Sequence, residues 1–500
     1  MDSDREFFGR SSYGEFYGRR RIVTDAEEIT RDNVVDELKS ALEIHQINAQ
    51  EIDYLYNYYK GRHPAILNRR KQFNEHVCNK ITVNRAAEII DFKTGFLLSE
   101  PVQFIGRDDK ADTDKINALN DFFYQTGKQQ QDMELVDWLH ICGIGNRIIL
   151  PQKPGVDGVP FRTYVLDPRF SFVVTRSDLD KRRMFGVKYV IKGDVTENPT
   201  TNEQNTIYSV WTENAYYEIQ GDVIIKEEDR YYGAVPIIEY EANLAREGAF
   251  ENVLPLLDAI DSVESDRADS VDNFVQALLL FKNCDIDDEQ FQRLKELGGL
   301  KVPEGGDVSY LVQELNQSQT QEFIDDMYDA VLTICGIPGR NGANGASTSD
   351  TGAATLLRNG WQSAVTYASK TVSYFIKSEK EMLKLALLFA GGLNLQLPSL
   401  DIKFPLKNYQ NSYEQAQILD LMLRDTGMKI HPQLAFTSSS IWADGMQAYE
   451  MSRQFTEELE QKQKENQLTA MTESTDETEF SVNPADGTDN QRNNQPGELG

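Results

Sequence analysis

Few side chains in this sequence could hold a metal ion or act as a nucleophile. The five histidines show no HExxH spacing and the four cysteines form no CxxC pair. His140-Ile141-Cys142 places two ligand types side by side, but adjacent positions on a helix point in different directions. We therefore expect ordinary, partly buried residues there, with no metal site, no cofactor and no disulfide framework, as in a protein of a reducing cytoplasm.

A glycine-rich segment, Gly336–Gly352, is the strongest candidate for phosphate binding. A phosphate-binding loop needs a lysine and a hydroxyl residue directly after its last glycine, at a turn from strand to helix. Here Gly345 is followed by Ala346 and Ser347, and a helical pattern precedes the segment. The sequence therefore predicts a flexible loop rather than a nucleotide site.

Three carboxylates at helical spacing, Asp325, Asp326 and Asp329, could belong to a two-metal nuclease, which needs carboxylates that converge on one point. They lie on the polar side of an amphipathic helix, Gln321–Cys335, where a solvated face is the usual arrangement. We therefore predict no catalytic residues.

The charge balance excludes one large class of nucleic-acid-binding proteins. Lysine and arginine total 51 against 80 aspartate and glutamate residues, a net charge of −29. A protein that coats nucleic acid needs a basic face, whereas a protein that lets nucleic acid pass does not. The most apolar stretch, Met382–Leu397, is too short and too polar to span a bilayer, so we expect no membrane partner.

The helix predicted over Glu251–Leu280 supports the most specific hypothesis. Its apolar residues share one broad side, and four aspartates share the other. These aspartates are Asp258, Asp261, Asp269 and Asp272. Two interpretations stay open. The segment is either a surface helix of a globular domain or one helix of a channel wall, with its acidic side toward the lumen.

The remaining patterns predict a mixed α and β protein. Short alternating runs between Val102 and Tyr240, separated by turn residues, indicate antiparallel sheet. The runs are Val102–Ile105, Asn146–Leu150, Arg162–Leu166, Ser171–Thr175, Gly186–Ile191, Thr206–Trp211, Tyr216–Ile219 and Val223–Ile225. Helices are predicted over Asn33–Leu42, Ile52–Tyr59, Asn84–Leu98, Asp114–Tyr124, Met133–Ile141, Ala353–Ala390, Ser412–Arg424 and Ala443–Gln467.

Smaller features complete the prediction. Gly360 should kink the long helix over 353–390, and Asp401–Phe404 should be a short strand. An insert over 281–317 should hold a short helix, Asp288–Leu297, and a hairpin. Arg19–Arg21 should belong to a solvated arm. The acidic tail, 468–500, lacks core-forming residues and should be disordered.

Six segments, in this order along the chain, resemble the portal proteins of tailed bacteriophages, and most of all the type found in long-tailed phages of Gram-positive hosts. They are YYKGRHP (58–64), NKITVN (79–84), DFKTGFLLSEPV (91–102), YVLDPRF (164–170), GAVPIIE (233–239) and PLLDAID (255–261). The resemblance spans about Asp53–Gln467, nearly the whole chain.

The resemblance implies an α+β portal-protein fold with long stem helices, an antiparallel sheet in the wing, a small α/β clip and a helical crown. The wing would be 1–250, completed by 391–410; the stem helices 251–280 and 318–337; the clip 281–317. The tunnel loop would be 338–352, the long kinked helix 353–390, the crown 411–467 and the acidic tail 468–500.

The same resemblance implies a ring, of twelve subunits or thirteen when isolated, at one vertex of the capsid. Double-stranded DNA would be packaged and ejected through its channel. Partners would be the terminase packaging motor, a head-completion or adaptor protein at the clip, and the major capsid and scaffolding proteins. The chain would pass through the host cytoplasm during assembly. DNA-facing candidates are Asp258, Asp261, Asp269, Asp272, Arg340, Asn341 and Asn344, and Gly360 is the hinge candidate.

Two other classes stay open. One is a DNA-packaging enzyme, an ATPase or nuclease, which the missing nucleotide and metal motifs disfavour. The other is a capsid structural protein without a channel.

Overall fold

The computed structural model divides into two compact units, Met1–Asn411 and Ser412–Gly500. It describes residues 18–71, 77–107, 112–152, 158–191, 205–275, 278–282, 307–311, 317–339, 361–404, 412–424, 430–439, 441–442 and 445–476. The predicted insert helix Asp288–Leu297, the loop residues Arg340, Asn341 and Asn344, and the hinge candidate Gly360 lie outside these residues.

Five helices form in the first part of the chain. They are α1 (Val34–Tyr59), α2 (Pro64–Leu67), α3 (Arg85–Leu97), α4 (Thr113–Gln125) and α5 (Lys128–Cys142). Side chains cap two of them: Asn84 accepts a hydrogen bond from the Ala87 N–H at α3, and Asp112 from the Lys115 N–H at α4.

Helix α1 is continuous, although the sequence predicts two separate helices there. Its middle carries the buried polar residues His45, Asn48 and Glu51 in place of apolar ones, and these interrupt the apolar pattern. Each has a partner in the fold. The Arg20 N–H, for example, donates to Asn48 Oδ1 at 2.9 Å, and the Nε2 of His45 lies 3.1 Å from the Arg169 carbonyl oxygen.

Among the residues that the structure describes, ten strands lie between Ile22 and Glu241. They are β1 (Ile22–Thr24), β2 (Gln103–Gly106), β3 (Ile144–Pro151), β4 (Phe161–Leu166), β5 (Ser171–Arg176), β6 (Arg183–Ile191), β7 (Thr206–Trp211), β8 (Ala215–Gln220), β9 (Val223–Asp229) and β10 (Ile237–Glu241). A six-stranded sheet has the order β1-β5-β6-β7-β8-β9, and a second sheet the order β10-β3-β4. All eight predicted runs are strands, so the predicted α+β class is confirmed. β1 and β10 were not predicted.

The predicted helix over Glu251–Leu280 is shorter than expected. A 3₁₀ turn, Glu251–Val253, leads into α6 (Leu254–Val275), and Leu278–Leu280 belongs to a strand, β11 (Leu278–Lys282). β11 pairs in antiparallel register with β12 (Asp307–Leu311). The apolar run LLLF fits a helix or a strand equally well, and backbone pairing with residues 307–311 decides for the strand.

Helix α7 (Gln317–Cys335) returns beside α6. Arg267 donates to Gln321 Oε1 at 2.8 Å, and the Sγ of Cys335 lies 3.5 Å from the Ala249 carbonyl oxygen at the start of α6. The two helices are therefore antiparallel. Leu257, Ile260, Ile324 and Val331 fill a core shared with α1, α3 and α5.

Helix α8 (Trp361–Phe389) follows, with 3₁₀ turns at Gly391–Leu393 and Leu397–Ser399 and a last strand, β13 (Leu400–Lys403). β13 pairs with β2, so residues 400–403 complete the N-terminal part of the fold.

The second unit contains α9 (Ser412–Leu423), α10 (Pro432–Ser438) and α11 (Gly445–Asp476). Helix α11 continues past the predicted end at Gln467. Residues 468–476, predicted as the start of a disordered tail, are therefore helical, and residues 477–500 lie outside the described part of the chain.

Candidate functional site

The acidic side of α6 is covered by an extended segment of the same chain. We call residues 77–83 the strap, and the polar residues on this side of α6 the acidic ladder. The ladder consists of Asp258, Asp261, Ser265, Asp269 and Asp272, which recur every three or four residues on one side of the helix.

Alternate backbone N–H groups of the strap donate to successive turns of the ladder. Val83 donates to Asp261 Oδ1 at 2.8 Å, and Ile81 to the Ser265 hydroxyl oxygen at 3.0 Å. Asn79 donates to Asp269 Oδ1 at 2.6 Å. Two residues of extended chain advance about 6.6 Å, and four residues of helix about 6 Å. Because the two spacings nearly match, side chains on one side of α6 can accept hydrogen bonds from the backbone of an extended segment, which therefore needs no neighbouring strand.

Further side chains of the same chain contact the two buried carboxylates of the ladder. Asp269 Oδ2 accepts from Arg69 at 2.7 Å and lies 2.6 Å from the Lys71 ammonium. Asp261 is paired with His63, and both side chains are fully buried. Burial alone would raise the pKa of Asp269, but hydrogen bonds from Lys71, from the Asn79 N–H and from Arg69 lower it to about 2. Asp269 is therefore ionised at any physiological pH.

The two ends of the ladder are less enclosed. Asp258 is partly buried and accepts a hydrogen bond of 2.9 Å from the Tyr58 hydroxyl. Burial raises the pKa of this carboxyl above its usual value. Asp272, at the other end, is exposed and accepts from the Asn79 side-chain amide at 2.7 Å.

The geometry corrects one expectation for the DNA-facing candidates. Asp261 and Asp269 are fully buried under the strap, so neither carboxylate is exposed to a lumen. Residues of the same chain contact both carboxylates, which helical spacing alone does not reveal. Of the four aspartates, Asp272 is exposed and Asp258 is partly buried, so a role in lining a channel stays a prediction for these two.

A buried ion network anchors the start of α6. Arg19, predicted to lie in a solvated arm, is fully buried between Glu51, at 3.2 Å, and Glu251, at 3.0 Å. Glu251 also accepts from the Gly248 N–H at 2.8 Å. Arg20 pairs with Glu51 at 2.9 Å. The prediction of a solvated arm is therefore wrong. Three consecutive arginines suggest solvent exposure, and the sequence alone does not identify their carboxylate partners, which lie far along the chain.

A second buried network ties α8 to α5 and to β3. Glu379 lies 2.8 Å from the Lys128 ammonium and accepts from the Tyr240 hydroxyl at 2.7 Å and from Arg147 at 3.4 Å. Asp132 pairs with both cations. The C-terminal half of α8 is therefore fixed to the sheet β10-β3-β4.

The ends of α7 and α8 that flank residues 340–360 also meet. Gly336, with φ of +69°, packs against the ring of Tyr367, and the Lys93 ammonium lies 5.2 Å from the centre of that ring. Burial lowers the pKa of Lys93. The described residues on either side of 340–360 therefore both lie next to α3.

The structure places the suggestive histidine and cysteine in the core. Burial lowers the pKa of His140 to about 3 and raises that of Cys142 to about 12, so both are neutral at pH 7. They are more deeply buried than predicted. In the described part of the chain, no three histidine, cysteine, aspartate or glutamate residues are grouped as metal ligands would be. None of the described helices is long and apolar enough to cross a membrane.

Comparison with known proteins identifies the family. The family of phage portal proteins described as SPP1 Gp6-like matches residues 38–467. A search of curated proteins finds no match. The matched region covers most of the chain and includes the strap, α6, α7 and α8, and it confirms the resemblance that the six sequence segments indicate.

Proposed function

Because this chain belongs to the SPP1 Gp6-like family of phage portal proteins, we propose that it forms a closed ring at one vertex of the capsid. The ring has twelve subunits, or thirteen when isolated, and double-stranded DNA is packaged and ejected through its central channel. The observation that carries this proposal is the family match over residues 38–467.

The parts of the portal are assigned as the sequence predicts, with the helix ends adjusted. Residues 1–250 form the wing, and the pairing of β13 with β2 supports its completion by residues 391–410. Helices α6 and α7 form the stem, and their antiparallel contact supports this assignment. The clip is the insert between them, whose base is the β11–β12 pair. The crown begins near the boundary between the two compact units.

The channel surface must let a phosphate backbone slide, and each lysine or arginine contact to phosphate adds affinity. Asp269 is paired with Arg69 and Lys71, Asp261 lies against His63, and both carboxylates are buried, so neither adds an exposed negative charge to that part of α6. Asp272 and the loop residues Arg340, Asn341 and Asn344 are the proposed DNA-facing groups, with Asp258 as a weaker candidate because it is partly covered. Gly360 is the proposed hinge.

The proposed partners are the terminase packaging motor, a head-completion or adaptor protein at the clip, and the major capsid and scaffolding proteins. The protein acts inside the virion and passes through the host cytoplasm during assembly.

Negative-stain electron microscopy and native mass spectrometry of the purified protein test the ring directly. We expect closed rings with a central hole; monomers alone at micromolar concentration would contradict the proposal. A nucleotide-hydrolysis assay separates the portal from a packaging ATPase, and a nuclease assay with Mg²⁺ separates it from a packaging nuclease. We expect no turnover in either assay.

A further inference from the structure

Helix α8 carries an exposed row of lysines that is unusual in so acidic a chain. Lys370, Lys377 and Lys384 recur every seven residues, and Lys380 lies beside them. All four are exposed, on the side of α8 opposite its buried residues Phe375, Glu379, Met382 and Leu383. A seven-residue repeat drifts only about 20° per step around a helix, so these lysines form one nearly straight row.

The lysine row is only partly paired within the described residues of its own subunit. Lys384 lies 2.5 Å from Glu381 on the same helix. Lys377 makes no direct ion pair, although its charge helps to lower the pKa of Glu241. Among the residues that the structure describes, Lys370 and Lys380 make no ion pair with a carboxylate. The row therefore leaves Lys370, Lys380 and, in part, Lys377 available to a partner.

Helix α7 carries a row of the opposite sign. Glu322, Asp325 and Asp326 are exposed on the side of α7 that faces away from the buried Ile324 and Val331. Within the described part of the chain none of the three pairs with a cation, although Asp325 accepts a hydrogen bond of 2.8 Å from the Gln321 side chain. Phe323, which is 55% exposed, and Ile334, which is 46% exposed, lie along the next strip of the same helix.

We propose that the acidic row of α7 in one subunit binds the lysine row of α8 in the neighbouring subunit, and that Phe323 and Ile334 add the apolar part of this contact. The inference rests on the proposed ring and names the surfaces that close it. A ring with one kind of head-to-tail contact needs two different, mutually complementary surfaces on every subunit. Both rows belong to the same compact unit, on different helices, and they do not pair with each other within the chain.

Charge complementarity decides between this partner and DNA. The phosphate backbone of DNA could bind the lysine row, but this binding would not account for the acidic row or for the exposed Phe323. A continuous lysine row open to DNA would also add phosphate affinity along the path of translocation. Single exposed ion pairs contribute little stability, so the two rows act mainly by selecting and orienting the neighbour, and like charges across the contact oppose binding.

Two charge-reversed variants test this contact. Variant A carries Glu322→Lys, Asp325→Lys and Asp326→Lys; variant B carries Lys370→Glu, Lys377→Glu and Lys380→Glu. Each variant alone places like charges across every contact, so we expect neither to form rings in native mass spectrometry at low salt. An equal mixture allows opposite charges at every contact of a ring with an even number of subunits, and we expect even-numbered rings that alternate A and B. All six changes on one chain should also restore rings.

A matched control reverses exposed charges elsewhere. Asp114→Lys with Asp121→Lys on α4 changes the net charge in the same direction as variant A, and it should leave ring formation unchanged. Circular dichroism and thermal unfolding establish that A and B are folded.

Several outcomes overturn the inference. Rings from A alone or from B alone would do so, as would folded A and B that fail to assemble when mixed. Normal rings of B with weakened binding of a DNA duplex would assign the lysine row to DNA instead. If the wild-type protein itself forms no rings, the proposed function fails and this inference fails with it. If the wild type and both charge-reversed variants all form rings, only this inference fails.

Discussion

The guanidinium of Arg69 donates a hydrogen bond of 2.7 Å to the carboxylate of Asp269, although 200 residues separate them along the chain. Lys71 reaches the same oxygen, and the Asn79 N–H reaches the other one. Helix α6 is thus held by residues that lie far before it in the chain.

Replacing Asp269 by Asn tests this attachment. The substitution keeps the shape of the side chain but leaves Arg69 and Lys71 without their buried counter-charge. We expect a loss of about 3 kcal/mol in the free energy of unfolding, since removing one partner of a buried ion pair costs that much. Urea unfolding followed by circular dichroism measures it.

Asp266→Asn is the matched control, because Asp266 pairs with the same Arg69 but its side chain is 59% exposed. An exposed pair contributes less than about 1 kcal/mol. Equal losses for both variants would show that the buried carboxylate has no special role in holding the strap.

Acid should weaken the same contact in a defined pH range. The pKa of Asp269 is about 2 in the folded chain, below its ordinary value of 3.8. A lowered pKa means that the folded state favours the ionised form, so the stabilisation is complete above the ordinary pKa and is lost as the pH falls through the folded one. The difference in unfolding free energy between the wild type and Asp269→Asn should be constant above about pH 5 and should shrink between about pH 4 and pH 2. A difference that stays constant down to pH 2 would contradict this assignment.

Arg19 should contribute strongly to the stability of the fold at the N-terminal end of α6. Arg19→Ala leaves Glu51 and Glu251 buried without their shared cation, and we expect a loss of about 3 to 5 kcal/mol. The neighbouring Arg20→Ala removes a partly exposed partner of Glu51 and should cost less than about 1 kcal/mol. Melting temperatures of the two variants compare them directly, and a larger loss for Arg20→Ala would reverse the interpretation of the network.

Local patterns were sufficient to predict most of the fold. Apolar periodicity located the helices, and alternation located eight strands, because both patterns reflect burial on one side of an element. Strand β1 escaped prediction because it is three residues long and pairs in parallel with β5, far along the chain. The end of α6 was misplaced because an apolar run such as LLLF has no period of its own.

The candidate site was less predictable for a physical reason. The spacing of the α6 aspartates shows that they share one side of the helix. The same spacing is expected whether that side faces solvent or is covered by another segment of the chain. The strap bonds to side chains rather than to another strand, so its backbone has no alternating pattern to reveal it. A local signal of these carboxylates is the group His63, Arg69 and Lys71, which lies shortly before the strap and contacts them.

Gly143 should tolerate no side chain. Its φ is +82°, and an added Cβ would lie 2.3 Å from the carbonyl carbon of Arg246, in a backbone that cannot easily move. We expect Gly143→Ala to cost about 3 kcal/mol or more, from both the strained dihedral and the clash. Gly158→Ala separates the two causes, because Gly158 has φ of +71° with open space around it, and it should cost only about 1 kcal/mol. Similar melting temperatures for the two variants would contradict the close approach of α5 to Arg246.

The glycine-rich loop should contact DNA during translocation. Its glycines permit many backbone conformations, and its small side chains offer little to hold it in place. Replacing Gly342 and Gly345 by Pro should stiffen the loop and impair DNA packaging while rings still form. Arg340→Glu should weaken the one fixed cationic contact and change the rate of packaging or the retention of DNA, again with intact rings. A packaging assay that measures protected DNA, with native mass spectrometry of the same preparations, tests both. Lys301→Glu, in the predicted clip, is a control for the charge change. If both loop variants package and retain DNA at the wild-type level, residues 338–352 are a surface linker, and the DNA-facing role of Arg340, Asn341 and Asn344 is wrong.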